Sequence, residues 1–133
     1  MKTKILLVDD EKDFTDALAQ RLEIRGFDVS VAYSGESALE IYKKKNLDIV
    51  ILDVQMPELS GVETLQRIKE MAPLAQVIML TGNATVQNAI EGMKNGAYDF
   101  LMKPVGIDSF EEKLKEEPAK IEETEETYEL KKN

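Results

Sequence analysis

The sequence predicts an α/β protein built on a doubly wound parallel sheet of five strands. Three observations lead there. Short apolar runs alternate with segments of helical periodicity five times along the chain. Strands joined by helices run parallel, and right-handed crossovers place those helices on both faces of the sheet. The 133 residues, 15.0 kDa in all, suit one domain with a single sizeable core.

The elements follow in order. "KTKILLVDD" carries the first strand, Ile5 to Val8, and ends in two aspartates. "FTDALAQRLEIRG" sets Phe14, Leu18 and Leu22 at helical spacing, with Gly26 as the stop. "FDVSVA" alternates as a second strand, and "SGESALEIYKKK" puts Ala38, Leu39 and Tyr42 on one helical face. Residues 48–52 form the third strand, in which Ile49 to Leu52 are apolar and suited to burial on both faces. Ser60 and Glu63 make a capping box that opens a helix with a Val62, Leu65, Ile68 stripe.

"QVIML" is the fourth strand, ended by "TGN". Val86, Ala89, Ile90 and Met93 mark the fourth helix, closed by Asn95-Gly96. "AYDFLM" is the fifth strand, followed by Lys103-Pro104. Asp108 and Glu111 cap a last helix that carries Phe110 and Leu114, and Pro118 ends it. Residues 1–117 thus form the domain.

Residues 118–133 read as a charged tail or the start of a linker. From 111 to 133 there are nine Glu and five Lys, a net charge of -4. One reading is a solvated, frayed end. The other notes Leu114, Ile121 and Tyr128 at sevenfold spacing, the beginning of a helical linker or dimer seam.

Composition removes several function classes. The chain has no cysteine and no histidine, so thiolate catalysis, Ser-His-Asp chemistry and His-ligated metals are all excluded. A net charge of -9 argues against direct nucleic-acid contact, which needs clustered Lys and Arg. No apolar run reaches the ~20 residues of a membrane span. The N-terminus also lacks a signal-peptide apolar region, so a cytoplasmic location is expected.

What remains is a polar constellation at one sheet edge. The strand C-termini deliver Asp9 and Asp10, Asp53, Thr81 and Lys103. In open α/β sheets ligands bind at that edge. Local readings exist for most of them. Asp10 could N-cap the first helix, Thr81 could cap the fourth, and Lys103 could be solvated. Asp53 resists such a reading, because it continues a fully apolar strand and a buried charge is costly unless compensated.

Three adjacent carboxylates need a counter-charge. A hard divalent cation supplies it, and few protein ligands with room for phosphate favour Mg²⁺ over Ca²⁺. With Lys103 nearby, the chemistry expected is phosphoryl transfer onto Asp53.

"ILLVDDE", "DIVILDVQMPELSG", "VIMLTGNA" and "GAYDFLMKP", spread over residues 3–117, resemble the receiver domain of bacterial two-component response regulators. The resemblance implies a flavodoxin-like (βα)5 fold with strand order 2-1-3-4-5. It implies that Asp10 binds Mg²⁺ (or Mn²⁺) directly, that Asp9 assists, and that Asp53 is both ligand and phosphoacceptor. The Gln55 backbone carbonyl completes the protein ligands.

The same resemblance assigns Lys103 and Thr81 to the phosphoryl oxygens, with the Gly82 backbone N–H, and a cis peptide bond to Lys103-Pro104. Phe100 matches the family's aromatic switch, although a static core residue fits its strand position equally well. Gln55 and Asn83 would tune phosphoryl lifetime. The donor would be a phosphohistidine on a sensor histidine kinase or phosphotransfer protein. The domain would catalyse only its own modification and hydrolysis, not the turnover of an outside substrate.

Its output face would be the fourth helix, fifth strand and fifth helix, acting on an output protein, an attached effector domain, or a second copy in a phosphorylation-dependent homodimer. Three rivals stand beside this reading. A phosphohydrolase wants a second acid where Gln55 stands. A flavin binder would meet repulsion from Asp9-Asp10. A receiver that only binds partners would keep the fold without the chemistry.

Overall fold

The computed structural model describes residues 2–56, 58–82, 91–103, 110–112 and 114, with the backbone alone at Thr81. Its elements are β1 (Lys4–Val8), α1 (Lys12–Ile24), β2 (Asp28–Ala32), α2 (Gly35–Lys44), β3 (Ile49–Asp53), α3 (Gly61–Met71), β4 (Val77–Thr81) and β5 (Asp99–Met102). Residues 91–94, 110–112 and 114 are helical as well. All strand pairs are parallel, in the order β2-β1-β3-β4-β5. The expected sheet and strand order are therefore present.

Strand alternation divides the core into two layers. Leu6, Val8, Val50, Leu52, Val77 and Met79 pack with Ala38 and Leu39 of α2 and Leu65 and Ile68 of α3. Ile5, Leu7, Ile49, Ile51, Ile78 and Leu80 face the other way, against Ala19 and Leu22 of α1 and against Phe110 and Leu114. Full burial of each Val, Leu, Ile, Phe or Met among them stabilises by roughly 1.5–3 kcal/mol. Every residue of β3 is buried, which is why that segment reads as continuous hydrophobicity.

Several boundaries and faces differ from expectation. β3 and β4 each lie one residue later than the sequence suggests, so Asp53 is itself the last residue of its strand. β5 begins at Asp99, after Ala97-Tyr98. On α1 the buried positions are Thr15, Ala19 and Leu22, whereas Phe14 and Leu18 are only partly buried. Thr15 reads as polar, but its Oγ1 lies 3.2 and 2.8 Å from the Asp9 and Glu11 carbonyl oxygens, which makes burial tolerable.

Met93 is 48% exposed and does not join the core stripe assigned to its helix. Leu114 is fully buried, so it belongs to the core rather than to a free seam. Ile121, Tyr128, Asp108 and Pro118 lie outside the described residues, as does the whole 118–133 segment.

The helix starts are specified locally. Ser34 Oγ accepts from the Ser37 N–H at 3.1 Å, and Ser60 Oγ accepts from the Glu63 N–H at 3.2 Å. Ser60→Ala is expected to cost about 1 kcal/mol in urea unfolding. A loss under about 0.3 kcal/mol would show that water replaces this cap. Gly26 and Gly96, both at φ +97, end helices in the left-handed region. No helix among the described residues is long and apolar enough to cross a membrane.

Candidate functional site

Alternation and register build the site. Asp9 follows Ile5 and Leu7 on one face of β1, and Asp53 follows Ile49 and Ile51 on the same face of β3. The strands are paired at Val8↔Leu52, so the next residues, Asp9 and Asp53, stand side by side where the sheet ends. Both are buried, at 1% and 5% exposure, while the neighbouring Asp10 is exposed. One carboxylate oxygen from each of the three lies within 4.8 Å of the other two.

The acids do not have equivalent surroundings. Asp9 Oδ1 accepts the Glu11 N–H at 3.0 Å, so Asp9 rather than Asp10 receives the backbone at the entry to α1. The N-cap residue is Glu11, and it makes no side-chain capping bond. Asp53 Oδ1 accepts the Gln55 N–H at 3.2 Å. Burial pushes the Asp53 carboxyl up to about 7, and the charge of Asp9 adds to this. The Gln55 N–H and the Lys103 charge pull the other way without cancelling it.

Lys103 closes the cluster. Its Nζ lies 2.6 Å from Asp9 Oδ2 as an ion pair and 2.9 Å from Glu11 Oε1. It also stands 4.2 Å from the centre of the Phe14 ring. Burial works to lower the Lys103 pKa, but contact with Asp9 and Glu11 wins and raises it. Asp9 Oδ2 is buried and has no aligned hydrogen bond, the ammonium being its ion partner.

A cluster of three carboxylates, one with a raised pKa and one with an open lone pair, fits a divalent oxygen-seeking cation. The cluster could hold a metal ion.

The remaining expected residues are placed as follows. The Thr81 backbone ends β4, paired with Met102. Gly82 is exposed, and a Cβ there would come 3.6 Å from Lys103 Cδ, ordinary contact. Phe100 is half-buried beside the α2 and α3 layer. Gln55 is exposed. Asn83 and Pro104 lie outside the described residues, as does the side chain of Thr81.

Sequence reasoning missed three contributors. Glu11 stands in the quoted "ILLVDDE", but nothing local ties it to a lysine 92 positions away. Phe14 reads as core, yet its ring also backs Lys103. Gly61 lies directly against the backbone of Asp53 and Val54, so that any Cβ would collide. The only local hint of that contact is a glycine at the first turn of a helix, where it is otherwise unfavourable.

The comparisons with known proteins agree with this fold. The family described as "Response regulator receiver domain" matches residues 5–115. The transcriptional regulatory protein ZraR of Salmonella typhimurium is 37% identical over 123 residues, covering 92% of this chain and 28% of ZraR. This chain thus spans little more than a quarter of that relative. A CheY-like receiver domain protein from Methanospirillum hungatei JF-1 superposes with a TM-score of 0.88 at 29% identity, over 93% of this chain and 99% of that one. A receiver domain protein from Clostridium thermocellum gives 0.83 at 37% identity, over 89% and 95%.

Proposed function

The chain belongs to the response-regulator receiver family, and we propose that it serves a two-component system as an aspartyl phosphoacceptor. What supports this most is the convergence of Asp9, Asp10 and Asp53 within 4.8 Å, with Lys103 ion-paired to the cluster. Asp53 ends a wholly buried strand, so its carboxylate is held rigidly at the sheet edge.

In the proposed reaction an Asp53 carboxylate oxygen attacks the phosphorus of a phosphohistidine on a kinase or phosphotransfer protein. The O–P bond forms as the P–N bond breaks, and the electron pair returns to the imidazole nitrogen. Asp9, Asp10, Asp53 and the Gln55 carbonyl would hold Mg²⁺, which supplies positive charge beside the phosphoryl oxygens. Asp53 must be ionised to attack, and a nearby cation favours that form.

Lys103 leaves Asp9 to pair with the phosphoryl oxygens, and Thr81 with the Gly82 N–H binds the same group. Water attack on phosphorus later restores the carboxylate, with Gln55 and Asn83 beside its path. The protein therefore modifies and resets itself and turns over no external substrate.

Output runs through the Thr81 and Phe100 pair to the face around β5. Phe100 is half-buried, and its ring would turn inward as Thr81 moves. ZraR is by name a transcriptional regulator and is much longer than this chain, so an effector domain is a natural recipient of the signal. The test is intact mass after incubation with Mg²⁺ and acetyl phosphate. One phosphoryl adduct is expected, dependent on Mg²⁺ and absent in Asp53→Asn. No adduct from a protein that binds Mg²⁺ would leave a receiver that only docks partners.

A further inference from the structure

Asp9 has two claimants. Its Oδ2 is the 2.6 Å partner of Lys103, and Asp9 also belongs to the three-carboxylate cluster that fits a cation. A cation seated there competes with the ammonium for the same carboxylate. Lys103 then needs another anchor, since a lysine side chain freed into water regains considerable rotamer entropy.

The entry to α1 supplies that anchor. Glu11 Oε1 lies 2.9 Å from Lys103 Nζ and is not among the clustered carboxylates. Phe14, in the first turn of α1, presents its ring to the same ammonium at 4.2 Å. The Glu11 side chain is 65% exposed and the pair alone would count for little, but the Lys103 side chain is only 11% exposed. The ammonium therefore sits between a carboxylate rim and an aromatic wall.

We propose that Glu11, backed by the Phe14 ring, is a positioning residue that keeps Lys103 at the mouth of the site once a cation has taken Asp9. The proposal rests on the phosphoacceptor reading and adds a role for a residue outside the acceptor set. In this arrangement the incoming phosphoryl group meets an ammonium already within reach. Glu11 acts wholly through Lys103, and that dependence is what a double-mutant cycle isolates.

The experiment compares wild type, Glu11→Gln, Lys103→Ala and the double variant. It measures the affinity of each for beryllium fluoride, a phosphoryl mimic, at saturating Mg²⁺. Glu11→Gln should weaken the mimic about threefold in the wild-type background and hardly at all in Lys103→Ala. A general charge or folding effect would appear equally in both backgrounds, and that result would overturn the proposal.

NMR of the Lys103 Hε protons gives a second readout. Their ring-current shift from Phe14 should survive Mg²⁺ saturation in wild type and be lost in Glu11→Gln. Identical Lys103 signals in the two proteins would also overturn it. If wild type binds no beryllium fluoride, the phosphoacceptor reading fails, while the Mg²⁺ titration of Lys103 still judges Glu11.

Discussion

Asp53→Asn is expected to stabilise the metal-free protein by about 2–4 kcal/mol at pH 8 and to change little near pH 4. The Asp53 carboxyl is raised from 3.8 to about 7 in the folded chain, first by burial and then by Asp9. Between those two values the folded state binds the proton that the unfolded state has lost. Stability from this group is thus fully present below pH ~3.8 and declines as the pH rises through 7. Above that, the folded chain holds a buried carboxylate that unfolding would release into water.

Holding a carboxyl that far above its ordinary value corresponds to roughly 4 kcal/mol once it is ionised. Part of this comes from the charge of the adjacent Asp9. Removing the charge removes the penalty. Magnesium should reverse the ranking, since it binds the ionised cluster and the unfolded chain offers no such site. At a hundredfold excess over its dissociation constant, a ligand stabilises by about 2.7 kcal/mol. Wild type should gain that and Asp53→Asn much less. Urea unfolding at pH 4, 6 and 8, with and without Mg²⁺, measures it. A stability difference independent of pH would rule out Asp53 as its source.

The same residue shows why part of the site is legible in sequence. A carboxylate placed directly after four buried apolar residues has no bland explanation, and strand periodicity fixes the face it shares with Asp9. The sheet order and the glycine stops were likewise local or family-borne. What escaped was tertiary. Glu11 and Phe14 meet Lys103 across most of the chain's length. The inner face of α1 shifted to Thr15 because a threonine hydroxyl can bond backbone carbonyls just ahead of its helix, so polarity in sequence did not mean exposure. Met93, apolar yet half exposed, is the opposite error.

Gly61 is the strongest case of a residue whose meaning is invisible in one dimension. Helix propensity alone favours Gly61→Ala by about 1 kcal/mol. Packing argues the reverse. A Cβ at position 61 would overlap the Asp53 carbonyl oxygen and stand 2.7 Å from the Val54 Cα. These are backbone atoms at the end of a fully buried strand and cannot swing aside as a side-chain tip would.

The Gly61 N–H also donates to the Val54 carbonyl at 3.0 Å, so α3 is held where the collision occurs. The expected cost of Gly61→Ala is about 3 kcal/mol. Relief of the clash must move either the helix start or Asp53. Mg²⁺ affinity should therefore fall together with stability. Gly26→Ala is the control, because Gly26 sits at φ +97 with nothing within 4 Å of its would-be Cβ. Its cost, about 1 kcal/mol, is purely conformational and should leave Mg²⁺ binding untouched. If Gly61→Ala unfolds no more easily than Gly26→Ala and binds Mg²⁺ like wild type, the β3–α3 junction is not what fixes Asp53.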